Sequence, residues 1–217
     1  AFRNCSKLSS VGLPDNLHII ADQAFSNCES LYSIDLPFNL KEIGEEAFTS
    51  CEKLLYIVIP ERVTKIQYAA FHNCKHLEVS VNSYNRSFRM VDGILLDLED
   101  RVVFVPEKLK SESFVVPNRV KVIGAYSFDE SKTLQSVVLP EGLIEIERKG
   151  FSGCYYLASI VIPESVTNIG EEAFLWCNGL ISIAIPPKVT VIRKRTFFSC
   201  YSLENVSIPD SVISIED

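Results

Sequence analysis

The sequence predicts a β-rich solenoid, a short coil of chain repeated and stacked on itself. Three observations carry this. The cysteines of the 217-residue chain fall at 5, 28, 51 and 74, then at 154, 177 and 200, each step within a block being 23. Prolines at 14, 37 and 60, then at 117, 140, 163, 186 and 209, keep that step, as do phenylalanines at 2, 25, 48 and 71, then at 128, 151, 174 and 197. Between these markers Ile34 and Leu36 alternate with Ser33 and Asp35, the period-2 pattern of a strand with one buried face. Self-similarity at a period of 20–50 residues is the mark of stacked repeats, each unable to bury its apolar face alone.

The shared unit reads Ala-Phe-x-x-Cys-x-x-Leu-x-x-Ile-x-Leu-Pro-x-x-Leu-x-x-Ile-Gly-x-x, and eight copies fit it. Units one to three cover 1–23, 24–46 and 47–69; units five to eight cover 127–149, 150–172, 173–195 and 196–217. In each, Ala-Phe-x-x-Cys-x-x-Leu is spaced by threes, which predicts a single 3₁₀ or α turn burying Phe, Cys and Leu. Leu-x-x-Ile-x-Leu then predicts a short strand, and the following Pro, which cannot donate to a ladder, ends it. Leu40-Lys41-Glu42-Ile43-Gly44 predicts a second short strand on another side of the coil.

The fourth unit, 70–126, is longer, because Phe71 to Phe128 spans 57 residues. Val79 and Val81 run one residue out of step with the other strands. Asn82 to Phe88 reads as a polar loop, and Val91-Asp92-Gly93-Ile94 carries an Asp-Gly turn signal. Ile94–Leu96 and Arg101–Val105 read as a β-hairpin, and Pro106 to Ser113 as a loop. Phe114-Val115-Val116-Pro117 restores the phase. The whole is read as one domain, 1–217. It opens and closes inside a repeat, which suggests a piece of a longer protein.

Apolar residues make up 47% of the chain, ample for a core, and the net charge is −7. A phosphate-binding surface needs clustered Lys and Arg, so a nucleic-acid partner is not expected. No apolar run approaches the ~18 residues of a membrane span, so direct membrane insertion is not expected either. The seven cysteines occupy one inward column at strand spacing, near enough for disulfides but with near-parallel Cβ directions. Ser131 takes the cysteine's place in unit five, and the count is odd. A ladder of reduced, buried thiols is the expectation.

Ala24-Phe25-x-x-Cys28-x-x-Leu31-x-x-Ile34-x-Leu36-Pro37 and Val166-x-x-Ile169-Gly170-Glu171-Glu172-Ala173-Phe174 resemble the BspA-like leucine-rich repeats, over nearly the whole chain. The long unit, with Val91–Leu95 and Val103–Pro106, is similar to a variant that family often inserts. The resemblance implies a right-handed leucine-rich repeat solenoid with two short parallel strands per coil. It also implies extracellular or surface-attached proteins that take part in adhesion, with a host extracellular protein as a partner, and no common catalytic residues. The sequence departs from the pattern where Gly is lost after Ile, at Ala21, Gln67, Glu147, Arg193 and Glu216, and in the slip at 77–83.

Several stretches of the sequence are candidate sites. The outward strand positions are mostly small or apolar, and their serines lack an accompanying histidine to activate them, so catalysis and a cofactor are not expected. His72-x-Cys74-x-His76 is a metal-like cluster, but the three-residue spacing turns its histidines away from the cysteine, so no metal is expected. Asn4, Asn85 and Asn205 each open an Asn-x-Ser sequence. The positions around each Cys are polar until Tyr155, Tyr156, Leu175, Trp176, Phe198 and Tyr201. These six gather large apolar groups on one turn of three adjacent coils, the composition of an interface anchor. The function that follows is a non-catalytic protein-interaction module. The alternatives are a structural spacer that presents another domain, and an enzyme or carbohydrate site on the unit-four insertion.

Overall fold

The computed structural model describes residues 1–217. The chain forms two compact units: Ala1–Leu98 with Val103–Lys108, and Glu99–Val102 with Leu109–Asp217. Both are solenoids of short parallel strands with almost no helix, the one 3₁₀ helix being Glu107–Leu109.

In the first unit, Ser10–Val11 pairs with Ser33–Ile34 in parallel, and Ile19–Ile20, Glu42–Ile43 and Lys65–Ile66 form a second ladder on another side of the coil. All these strands pair at an offset of 23, Ile20 with Ile43 and Ile43 with Ile66. Tyr56–Ile59 and Glu78–Val81 pair at an offset of 22, Tyr56 opposite Glu78 and Ile59 opposite Val81. The slip read from Val79 and Val81 is therefore real, and it is absorbed by one pair of strands. In the second unit the ladders are Ser113–Val115, Ser136–Val138 and Ser159–Ile160, then Ser182–Ala184 with Asn205–Ser207, all parallel and in 23-residue register. Val122–Ile123, Glu145–Ile146 and Asn168–Ile169, then Val191–Ile192 with Ser214–Ile215, line the other side. The lost glycines do not disturb register.

The turn before each strand is not a helical turn. Ala24, Ser26 and Cys28 donate back three residues to Ala21, Gln23 and Phe25, as 3₁₀ geometry requires, but Gln23, Phe25 and Asn27 donate onward to Glu45, Ala47 and Thr49 of the next coil. Gln23 (φ 55°) and Asn27 (φ 59°) are left-handed, and the same two positions are left-handed at Glu46 and Ser50, Glu172 and Trp176, and Arg195 and Ser199. A left-handed residue at each end stops a helix from propagating. The turn thus becomes a third line of inter-coil hydrogen bonds.

The core columns follow from the period. Phe2, Phe25, Phe48 and Phe71 stack face to face with centroids 5.3, 5.4 and 5.9 Å apart, and Phe104 closes the stack edge-on at 5.7 Å. In the second unit Phe114 meets Phe128 edge-on, and Phe128, Phe151, Phe174 and Phe197 stack at 5.0, 5.6 and 5.6 Å. All seven cysteines are free thiols. Six donate S–H to the carbonyl of the phenylalanine 26 residues earlier, as Cys51 does to Phe25 at 3.2 Å and Cys177 to Phe151 at 3.2 Å. Ser131 is fully buried in that column and its hydroxyl has no partner.

The insertion keeps the pairing of Ile94–Leu96 with the Arg101–Val105 segment read from the sequence and adds a strand before it. The antiparallel hairpin is Phe88–Val91 with Ile94–Asp97, turning on left-handed Asp92 and Gly93, and Val102–Phe104 lies beside Ile94–Asp97 as a third strand. Ile94–Leu96 and the strand near Arg101–Val105 are therefore neighbours, but a strand stands where Phe88–Met90 had no strand signal. Its cause is Asn85, whose side-chain N–H groups donate to Pro60 O (2.6 Å) and Val63 O (3.0 Å). Its side-chain oxygen accepts from the Ser87 and Phe88 backbone N–H groups. One side chain so fixes where the hairpin begins.

Candidate interaction surface

The six residues singled out by composition are placed by the turn. Leu175 follows the buried Phe174, as Ser152 follows the buried Phe151 one coil earlier, and Phe198 follows the half-buried Phe197. That position is covered by its neighbours, so Leu175 is 7% exposed and belongs to the core, whereas Phe198 is exposed. Trp176 takes the left-handed position before Cys177 (φ 60°), and its indole is partly exposed. Its backbone N–H donates to Phe198 O at 2.9 Å, which fixes the two coils against each other. Tyr155, Tyr156 and Tyr201 follow the cysteines and are exposed. Gly153 holds the left-handed position one coil before Trp176. Five of the six thus form a surface ridge over three successive coils.

The ridge has charged flanks. The Arg195 guanidinium lies over the Phe198 ring, 5.9 Å from its centroid. Glu172 is mostly buried and is met by Arg148 (3.5 Å), Lys149 (3.4 Å) and Arg195 (3.6 Å). These bridges continue a lateral column in which Lys149 also lies over the Tyr126 ring, at 5.3 Å. Burial, helped by the nearby Glu130 and Asp129 carboxylates, raises the Tyr155 phenol above its ordinary range.

The other candidates separate. Cys74 is buried with its thiol on Phe48 O, His76 is exposed, and no group of three His, Cys, Asp or Glu side chains is placed to hold a metal ion. The serines of the outward face stack on one another, Ser113 with Ser136 and Ser136 with Ser159. Asn85 uses both side-chain N–H hydrogens internally, so its Asn-x-Ser sequence is an architectural element. No helix is long and apolar enough to cross a membrane.

A second exposed cluster was not singled out from sequence. Tyr32, Leu55, Tyr56 and Val58 are exposed on the strand face of the first unit. Tyr56 and Val58 could be recognised as outward by alternation. Tyr32 and Leu55 sit just before their strands, where alternation gives no direction.

Residues 1–90 and 103–217 match the model of the BspA type Leucine rich repeat region, in six copies. None of the curated proteins matches the chain. Among solved structures, a leucine-rich repeat protein from Eubacterium ventriosum aligns with a TM-score of 0.77 and 22% identity, over 96% of this chain and 68% of its own. A leucine rich cell surface protein of Faecalibacterium prausnitzii aligns with a TM-score of 0.57 and 25% identity, over 95% and 74%. The pneumococcal vaccine antigen PcpA aligns with a TM-score of 0.64 and 23% identity, over 93% of this chain and 60% of PcpA.

Proposed function

This chain belongs to the BspA-type leucine-rich repeat family, and from that premise we propose that it is a non-catalytic protein-interaction module of a surface or secreted adhesin-like protein. Its partner is a protein, such as a host extracellular protein, met by Tyr155, Tyr156, Trp176, Phe198 and Tyr201. The observation that carries this is the ridge itself, one Trp, three Tyr and a Phe exposed on three coils whose backbones are tied together. Trp and Tyr offer large contact area at low conformational cost, and a rigid array has little ordering entropy left to lose on binding. The surface location is supported by a cell surface protein of Faecalibacterium prausnitzii that shares the fold at 25% identity.

The test is retention of proteins from an extracellular-matrix extract on the immobilised chain, beside Trp176→Ala and Tyr155→Ala. A retained protein that both variants bind at least about tenfold more weakly supports the ridge. Equal retention by folded variants removes the ridge from the reading. No retention at all favours the alternative, a structural spacer that presents another domain.

A further inference from the structure

The left-handed position before each cysteine, or before Ser131, makes one column of side chains. It holds Asn4, Asn27, Ser50 and Asn73 in the first unit and Glu130, Gly153, Trp176 and Ser199 in the second, all with φ between 52° and 67°. Asn tolerates this backbone better than most side chains, and it fills all the places in the first unit but Ser50. In the second unit the column runs from a carboxylate to no side chain to the only Trp of the sequence.

One backbone conformation along one column sends the Cα–Cβ bonds of Glu130 and Trp176 the same way. The two stand two coils apart, about 10 Å, with Gly153 between them. This leaves a slot one side chain wide with the Gly153 backbone as its floor. Glu130 lies close against that floor, since a Cβ on Gly153 would come within 3.2 Å of Glu130 Cα and N. The frame is tied at every step. Glu130 N–H donates to Ser152 O at 2.8 Å, Gly153 N–H to Leu175 O at 2.7 Å and Trp176 N–H to Phe198 O at 2.9 Å. Tyr155 N–H donates to Gly153 O at 2.9 Å, which sets the tyrosine beside the slot.

Glu130 is exposed and pairs with no cation of the chain. Lys132 shares a column with Tyr155 and Tyr201 and forms no ion pair with Glu130. Arg148, Lys149 and Arg195 are gathered on Glu172, at the other end of the phenylalanine turn. Other rings already carry a cation of the chain: Phe38 has Arg62 at 4.5 Å, Tyr126 has Lys149 and Phe198 has Arg195. Trp176 carries none, although an indole attracts a cation more strongly than either other ring type.

We propose that this slot takes one arginine or lysine side chain of the protein that meets the ridge, an inference that rests on reading the ridge as a protein-binding surface. The stem of a long cationic side chain covers apolar ring surface while its charged head meets the Glu130 carboxylate. The partner therefore presents a basic residue where it touches Trp176.

Trp176 is the only tryptophan, so its fluorescence reads the slot directly. The probe is a capped arginine–glycine peptide at constant ionic strength, compared with a citrulline–glycine peptide of the same shape without the charge. A saturable change in emission is expected with the arginine peptide, at least about fivefold weaker with the citrulline peptide. Glu130→Gln should weaken the arginine peptide about threefold. Gly153→Asn, a residue this column already accepts at Asn4, Asn27 and Asn73, fills the slot and should weaken it about tenfold. Glu164→Gln, at an exposed carboxylate outside the ridge, changes the net charge equally and should leave binding unchanged. No saturable change, equal binding of the citrulline peptide, or equal effects of Glu130→Gln and Glu164→Gln overturns the proposal. Should Gly153→Asn fail to fold, Glu130→Gln, an exposed change of nearly equal shape, decides alone. The matrix-extract experiment separates this slot from the ridge. A protein whose retention falls in Trp176→Ala but not in Glu130→Gln or Gly153→Asn overturns the slot and keeps the ridge; a fall in all three supports both.

Discussion

Removing one ring from the phenylalanine stack should destabilise the protein by an amount set by how many rings it touches. Phe48 is fully buried between Phe25 at 5.4 Å and Phe71 at 5.9 Å. Phe2 is 43% exposed and stacks on Phe25 alone among these rings. Phe→Ala in a well-packed core costs about 3–5 kcal/mol, from lost transfer energy and the cavity left behind. Phe48→Ala should lie in that range. Phe2→Ala keeps water on much of the side chain before and after, and should cost about 2–3 kcal/mol. A double-mutant cycle adds a sharper test. Phe25 and Phe48 touch, so Phe25→Ala with Phe48→Ala should show a coupling of about 0.5–1.5 kcal/mol. Phe2 and Phe48 are separated by Phe25, so their effects should add within about 0.5 kcal/mol. The assay is urea denaturation followed by far-UV circular dichroism at constant m-value. Equal losses for Phe2→Ala and Phe48→Ala, or coupling between Phe2 and Phe48 as large as between Phe25 and Phe48, would refute nearest-neighbour stacking as the source of stability.

Other predictions follow from single contacts. A Cβ on Gly44 would lie 2.5 Å from Asp22 N and 2.6 Å from Ala21 C, so Gly44→Ala should cost about 1–3 kcal/mol in thermal unfolding; Gly12, with nothing within 4 Å, should tolerate Ala. Asn85→Ala deletes four hydrogen bonds and should cost about 2–4 kcal/mol by urea denaturation, with Asn85→Asp no better because its carboxylate faces two carbonyls. Burial pushes the Cys51 thiol up to about 12 and Cys200 to about 11. A folded pKa above the unfolded one means that stability is complete below about pH 8.5 and lost as pH rises toward those values, by up to about 1.4 kcal/mol per pH unit for each thiol. Denaturation midpoints measured from pH 8 to 11 should fall accordingly. In native protein Cys5 should react with a thiol reagent well before Cys51, and all seven should react once unfolded.

The period was enough for most of the fold because it acts on many residues at once. Any coil that keeps Phe, Leu and Ile 23 residues apart must stack them in columns, and an error at one position is outvoted by the rest. The one-residue slip at Val79 and Val81 was legible for the same reason, since it is a displacement of a pattern. The lost glycines looked like departures, yet up to Arg193 the column alternates, Ala21 before Gly44 before Gln67, and Gly124 before Glu147 before Gly170 before Arg193, and only Glu216 breaks it. Gly44 and Gly170 lie against the backbone of the coil before, so a glycine there gives its longer neighbours room. The start of the hairpin was not legible. It depends on four hydrogen bonds of one Asn85, and a single side chain makes no pattern.

The sequence by itself determined the coil length, the strands, the core columns and the reduced state expected of the thiols, because periodic burial is written in residue type. Only the tertiary structure decided which large side chains reach solvent. Leu175 and Trp176 are consecutive and both apolar, yet one is core and the other surface, because a left-handed backbone at Trp176 swings its side chain away from the coil. Tyr32 and Leu55 likewise lie side by side only because neighbouring coils lie a strand spacing apart. Direction and proximity across coils are properties of the backbone path, and composition along the chain does not contain them.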